Sequence, residues 1–454
     1  MTDSSAVDPR VAPFNAYYNR PQKREDLPLH QVGPGTPGGE YLRRFWHPVM
    51  LKIELGELPK AIKLLGEDLV IFRDKSGRIG LLNKFCSHRG VSLEFGLIAE
   101  HGIRCCYHGW LYDVDGKVLE TPAEPLNSPL KCEFSQGAYP VRESGPFIFA
   151  YMGPPDAIPP LPEFESFTYP LGNVLAPYRL EWPCNWLQIQ ENAADPVHTS
   201  YLHAIVSGQQ FSPAFNELPV LDFVDTPLGF LAVATRRVKD HVFIRSSDII
   251  LPNIAQVGPA NESGTREKFI ISGAVTRWVV PIDDEHSFTI GVRHLNDVID
   301  PERKHLASDM GIGKGGLIGQ TDDRPYEERQ VEPGDYDAII SQGAIANLRN
   351  EHLGTTDSGV TRLRRQVMLG IKAVQDGEEL KVPRQYGNAL VPTYSHDIVV
   401  KLPSQANVGG GNALRAFGRR AVEVVIETGA LPAAERETVA RERIQKLAAT
   451  DLVE

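Results

Sequence analysis

The sequence predicts an α+β fold, with a small antiparallel β domain followed by a larger mixed domain. Three observations predict it. Short strand–turn–strand patterns fill residues 41–155. Pro154, Pro155, Pro159, Pro160 and Pro162 then mark a linker. Beyond it, longer strand-like runs share residues 156–454 with amphipathic helical stretches.

Residues 1–40 are rich in Pro and Gly, with Gly33-Pro34-Gly35-Thr36-Pro37-Gly38-Gly39 as a loop, and form an N-terminal segment expected to pack on the larger domain. In the small domain, Ala61–Leu65 and Asp68–Arg73 are strand-like, Asp74-Lys75-Ser76-Gly77 is a turn, and Ile79–Leu82 returns. Trp110–Val114 and Lys117–Leu119 repeat the pattern around Asp115-Gly116, and Phe147–Tyr151 is a further strand. In the larger domain, Phe230–Thr235, Val242–Ile250, Lys268–Val280 and Ser287–Val292 read as strands. Helices are expected near 185–205, 360–374 and 413–449. Val360, Leu363, Val367 and Ile371 share one face of the second. Residues 300–340, polar and rich in Gly and Pro, read as a long loop.

Bulk properties exclude several classes. No run of 18 apolar residues marks a membrane span. The polar, acidic start Met1-Thr2-Asp3-Ser4-Ser5 has no signal-peptide pattern, so a cytoplasmic location is expected. A net charge of −11 without a basic tract argues against nucleic acid as a partner. Five cysteines, an odd and sparse count, do not form a disulfide framework.

Three of those cysteines cluster with histidines. Cys86-Ser87-His88 is followed, after sixteen residues, by Cys105-Cys106-Tyr107-His108. Two thiolates and two imidazoles on paired loops suit either zinc or a Rieske [2Fe–2S] cluster. Each half-motif has Cys first and His last, so each loop can give one ligand to each of two irons, and Gly90, Gly102 and Gly109 allow tight turns. Both features favour the cluster. Cys105 has the two-residue spacing to His108 and is assigned over Cys106. Cys132 and Cys184 read as small apolar residues.

A second constellation runs from Glu191 to His203. Two histidines with a carboxylate form the facial triad of Fe(II) oxygenases, which leaves positions open for O2 and substrate. His198 and His203 are five apart, about 140° around a regular α-helix. Both reach one metal only through a π-type turn or a helix break, which is therefore predicted. For the third ligand the choice is Asp357, just ahead of the amphipathic helix near 360, where its competing role is a helix N-cap. His352 is a bystander or pocket residue.

Together, Cys-X-His-X16-Cys-X2-His and Asn-X2-Asp-X2-His-X4-His resemble the oxygenase (alpha) component of Rieske non-haem iron aromatic ring-hydroxylating oxygenases. Asn192, Asp195, His198 and His203 match the second motif. Asp357 in its Thr-Asp-X-Gly stretch, Gly33–Pro37, and Arg43-Arg44-Phe45-Trp46-His47-Pro48 are similar to the phthalate-dioxygenase-like branch. The resemblance implies a Rieske β domain at 41–155 and a helix-grip catalytic domain with a central antiparallel sheet at 156–454. It implies a [2Fe–2S] cluster on Cys86, His88, Cys105 and His108, and a mononuclear Fe(II) on His198, His203 and Asp357. It further implies homotrimers or pairs of trimers, in which Asp195 would bridge His198 and His108 of the adjacent subunit. Asp195 can also cap a helix that starts at Pro196.

The expected function is that of a terminal oxygenase. It would take electrons from a separate NAD(P)H-dependent reductase, directly or through a ferredoxin, and use O2 to hydroxylate a small aromatic molecule such as an aromatic acid or aryl ether. No nucleotide-binding Gly-rich fingerprint is evident in the chain itself. O-demethylation of a methoxylated aromatic is the alternative outcome. A Rieske electron carrier without catalysis and a zinc-stabilised binding protein are readings from other classes. The length beyond residue 160 and the second His/Asp set argue against the carrier.

Overall fold

A nine-stranded antiparallel sheet forms the frame of the larger part of the chain. Its strands are β1 (Val174–Trp182), β2 (Val220–Thr226), β3 (Gly229–Val238), β4 (His241–Ile250), β5 (Ile254–Val257), β6 (Lys268–Ser272), β7 (Val275–Pro281), β8 (Ser287–Leu295) and β9 (His396–Lys401). They pair in the order β1-β8-β7-β5-β4-β3-β2, with β9 joining β4 to β6. This computed structural model describes residues 8, 11, 13–125, 127–168, 172–208, 210–300, 306–317, 319–380, 390–402 and 411–451.

The smaller part holds three sheets, each antiparallel. Phe147–Tyr151 lies between Trp46–Leu51 and Val141–Ser144. The second sheet runs Lys60–Leu64, Glu67–Arg73, Ile79–Asn83 and Ala138–Tyr139. The third runs Leu97–Ala99, Gly102–Arg104, Leu111–Tyr112 and Val118–Glu120. Trp46–Leu51 and Phe147–Tyr151 are buried throughout, and Leu69–Phe72 and Gly80–Leu82 are buried at the centre of the second sheet. The first sheet shares a core with the large one: Phe147 and Phe149 meet the fully buried Trp278 of β7 edge-on, with ring centroids 5.6 and 5.8 Å away.

Helices α1 (Trp186–Ala193), α2 (Asp335–Ile340), α3 (Ser358–Asp376), α4 (Gly411–Glu427) and α5 (Ala433–Asp451) complete the frame used below. In α3, Val360, Leu363, Val367 and Ile371 are all buried, which is the face that their spacing predicts. Next to them, Gly359 lets α3 approach the chain closely, since a Cβ there would lie 2.0 Å from the Ala194 carbonyl. The described part of residues 1–40 is tied to α1, where Asn185 donates to the His30 carbonyl and Trp186 to that of Leu29.

The helical stretch expected over 185–205 is α1, a break at Ala194–Val197, and a separate π-helix, in line with the predicted π-type turn or break. Three expectations need correction. The helix expected over 413–449 is two, because Gly429 and Pro432 interrupt it. The strand expected over Lys268–Val280 divides at Gly273-Ala274, so that its halves pair with different neighbours. The loop expected over 300–340 contains α2 and a short helix at Tyr326–Val331.

One buried acid sets a pH dependence. Asp248 of β4 is 1% exposed, its Oδ1 has no hydrogen-bond partner, and burial pushes its pKa up from 3.8 to about 7. The folded chain therefore holds this proton more tightly than the unfolded chain. Its effect is a loss of stability as pH rises from about 4 to about 7, level thereafter, on the order of a few kcal/mol. Asp248→Asn should raise the melting temperature at pH 8 and change it little at pH 4. Equal shifts at both pH values would refute the assignment.

Candidate active site

Two equivalent loops form a cage in the small part. Gly90 N donates to Cys86 O and Gly109 N to Cys105 O, and both glycines take positive φ, 73° and 74°. Each turn thus needs a residue without Cβ. Cys86 and Cys105 are 4% and 3% exposed and within hydrogen-bonding reach of each other, whereas Cys106 faces solvent. His88 and His108 lie with ring centroids 4.6 Å apart, and His88 stacks on Trp110. The Tyr112 hydroxyl is 3.0 Å from Cys86 Sγ and 3.1 Å from Ser87 Oγ. Burial raises the Cys105 pKa, so thiolates here call for a bound cationic group. Two buried sulfurs beside two accessible imidazoles match the donor set of a Rieske cluster.

The second site is built on the break after α1. Asp195 Oδ1 accepts from Val197 N at 2.9 Å, and Pro196 follows, so the chain turns there. It then rewinds as a π-helix over Thr199–Val206. The wider i→i+5 winding brings His198 and His203 to the same side, with ring centroids 5.3 Å apart, as their spacing predicts.

The carboxylate that joins them is Asp335, at the start of α2. Ligand atoms of His198, His203 and Asp335 all lie within 4.8 Å of one another. Asp335 Oδ1 is 3.1 Å from His203 Nε2 and 3.7 Å from His198 Nε2. Burial acts to raise the Asp335 pKa, but the two imidazoles and Gln320 outweigh it and hold the carboxyl far below its usual range. Asp357 does not take part, contrary to the sequence expectation. Its carboxylate turns back to accept from Gly354 N at 2.6 Å, in the turn before α3. His352 is exposed.

The surrounding hydrogen bonds suit a metal. Nδ1–H of His203 donates to Gln210 Oε1 at 2.6 Å, and Nδ1–H of His198 donates to the Asp195 carbonyl. Each bond leaves Nε2 as the unprotonated nitrogen on the side of Asp335, where the Asn192 amide also lies 3.3 Å from His198 Nε2. Gln320 donates to Asp335 Oδ2 at 2.7 Å and Asn192 to Oδ1 at 3.0 Å. Behind them, Arg364 of α3 clamps the buried Glu191 and the half-buried Glu351, fixing α1. Gln210, Gln320 and Asp335 were not picked out from the sequence.

The triad opens on a cavity of roughly 140 Å³ over the face of the large sheet. Its walls include Leu180, Phe211, Ala232, Ala234 and Met310. A fold with a thiolate–imidazole cage and a separate two-histidine, one-carboxylate site on an apolar cavity defines an iron–sulfur oxygenase. A model of the Rieske [2Fe-2S] domain matches residues 45–132. The chain is 41% identical to the tert-butanol monooxygenase / tert-amyl alcohol desaturase oxygenase subunit of Aquincola tertiaricarbonis, over 94% of this chain and 93% of that one. It is 37% identical to the phenoxybenzoate dioxygenase subunit alpha of Ectopseudomonas oleovorans, over 78% and 86%. NdmA of Pseudomonas putida CBB5 shares the fold, with a TM-score of 0.56 at 20% identity over 75% of this chain and 94% of that one. The chain belongs to the family of Rieske oxygenase alpha subunits. It is an oxygenase component whose cofactors are a Rieske [2Fe–2S] cluster and a non-haem iron.

Proposed function

We propose that His198, His203 and Asp335 hold Fe(II), that Cys86, His88, Cys105 and His108 hold the cluster, and that the cavity receives a small aromatic acid or aryl ether. The convergence of two Nε2 atoms and one carboxylate oxygen on that cavity carries the reading. A cavity of ~150 Å³ accommodates a benzene ring, so one of roughly 140 Å³ suits a single-ring substrate. When bound, the two groups supply stored electrons and O2 activation. The chain's own residues do the positioning. Gln210 and the Asp195 carbonyl fix both imidazole tautomers, Gln320 and Asn192 orient Asp335, and the apolar walls exclude water from the reacting centre.

Electrons come from a separate NAD(P)H-dependent reductase, and the chain works in the cytoplasm as a trimer or a pair of trimers. Exposed Phe85 and Tyr107 at the cage, and exposed Tyr201 on the π-helix, support contact between subunits. Among the described residues no helix is long and apolar enough to cross a membrane. The names of the relatives cover a tertiary alcohol as well as phenoxybenzoate, so the substrate is tested directly. Loaded protein should contain about three irons per chain, and with reductase, NAD(P)H and O2 should oxidise or demethylate a member of a panel of aromatic acids, aryl ethers and tert-butanol. Two irons per chain with no oxidised product would overturn the reading in favour of an electron carrier.

A further inference from the structure

The cavity floor carries four arginines, and they differ in what holds them. Arg245 gives its charge to Asp397 through two bonds, 2.8 and 2.6 Å. Arg236 donates to the Glu217 carbonyl and to Thr199 Oγ1, and so braces the π-helix beside His198. Arg277 and Arg293, on β7 and β8, have no such employment. Among the described residues neither has a carboxylate within ion-pair distance. Among the described residues Arg277 makes a single long bond, 3.4 Å to the Ile189 carbonyl. Arg293 is 9% exposed, and among the described residues it makes no hydrogen bond and its buried Nε has no partner.

The sheet register puts these two side chains together. Tyr178, Gly291 and Arg277 stand in one row across β1, β8 and β7, and Arg293 is two residues along β8 from Gly291, on the same face. A Cβ at Gly291 would lie 2.3 Å from the Thr276 carbonyl, so the row stays open between Tyr178 and Arg277. The Tyr178 hydroxyl makes no hydrogen bond among the described residues, and both arginines act electrostatically on it. All three residues line the cavity that holds the triad. Asp300 and Asp309 act on Arg293 only from beyond ion-pair distance, and a nearly buried guanidinium with no anion in contact is costly unless a partner arrives.

We infer that Arg277 and Arg293, beside Tyr178, form a subsite for a carboxylate of the substrate, which is therefore an organic acid. This rests on the cavity being the substrate chamber. Planar guanidinium forks suit a carboxylate, and the phenol can donate to the same group. The acid would be held at the β7–β8 end of the floor, leaving its apolar part between the alanine-rich centre and the histidines.

The test is calorimetric binding to cluster- and iron-loaded protein, without reductase. The probes are benzoate, 4-methoxybenzoate and 3-phenoxybenzoate, their carboxamides, and tert-butanol. At least one acid should bind at least ~10-fold tighter than its amide, since a charge-assisted contact is worth that much or more. Arg277→Gln and Arg293→Gln should each weaken the acid ~10-fold or more and leave the amide unchanged. Arg293→Met should melt no lower than the parent, because it removes an unpaired buried charge; a bracing arginine would lower the melting temperature. Equal binding of acid and amide, unchanged acid affinity in both variants, binding of neutral molecules only, or no binding by any probe would overturn the subsite. Protein that binds acids but oxidises nothing fails the oxygenase reading alone. Protein that oxidises neutral molecules and ignores acids fails the subsite alone.

Discussion

Asp335→Ala should abolish turnover and lower the iron content from about three to about two per chain, with the visible spectrum of the cluster unchanged. The expectation follows from the geometry of the triad. Asp335 Oδ1 is the atom to which both histidine Nε2 atoms point, and no other carboxylate among the described residues joins that group. Loss of an outer-shell partner commonly costs a metal site ~10–100-fold in affinity or activity, so removal of a direct ligand should cost more than ~100-fold. Asp335→Asn would keep the hydrogen bonds from Gln320 or Asn192 partly in place but lose the anionic ligand, and should fall close to the alanine variant. Asp357→Ala is the matched control. Its carboxylate serves a turn before α3, so the variant should keep its iron and its turnover, at a stability cost of about 1 kcal/mol. Iron analysis and product yield decide between the two aspartates. An iron-replete Asp335→Ala protein beside an iron-depleted Asp357→Ala protein would reverse the assignment.

The difference between those aspartates marks where the sequence stops being legible. The cage could be read because all four donors sit in two short loops, where spacing alone limits which atoms can meet. His198 and His203 were readable for a related reason: a five-residue gap cannot serve one metal in a regular helix, and the π-helix resolves the conflict. The carboxylate that joins them, the proposed third ligand, lies more than a hundred residues away, where no local spacing applies. Asp357 had the better local context, ahead of an amphipathic helix whose buried face came out as expected. Asp335 sat in a Gly- and Pro-rich stretch that reads as loop, and its helix α2 is only six residues long. What selects it is tertiary packing, through Asn192 from α1 and Gln320 from the preceding loop. The arginine pair was invisible for the same reason, since it depends on the register of β7 on β8.

Asp195→Asn should retain both metal sites and yet slow electron delivery, with product formation in a single turnover falling by ~10–100-fold. Asp195 does three separable things. Its backbone carbonyl accepts from His198 Nδ1, and this bond survives the substitution. Its Oδ1 caps the turn through Val197 N, and asparagine can do the same. Its second oxygen, Oδ2, lies 3.8 Å from His198 Nδ1, beyond a hydrogen bond, on a side chain that is 29% exposed. Asp195 and His198 also line a groove on the outer side of the site, with Leu202, Ile339 and Leu353 along it. The free carboxylate oxygen is thus available to a group arriving from outside, and His108 of a neighbouring subunit is the proposed arrival. Replacing the charge by an amide leaves the fold, the iron and the cluster in place and removes only that acceptor. Rapid mixing of pre-reduced protein with substrate and O2 would resolve the step, read by cluster reoxidation at visible wavelengths. Full-rate reoxidation in Asp195→Asn would eliminate the bridge. Loss of iron in that variant would instead make Asp195 a support for His198 within its own subunit.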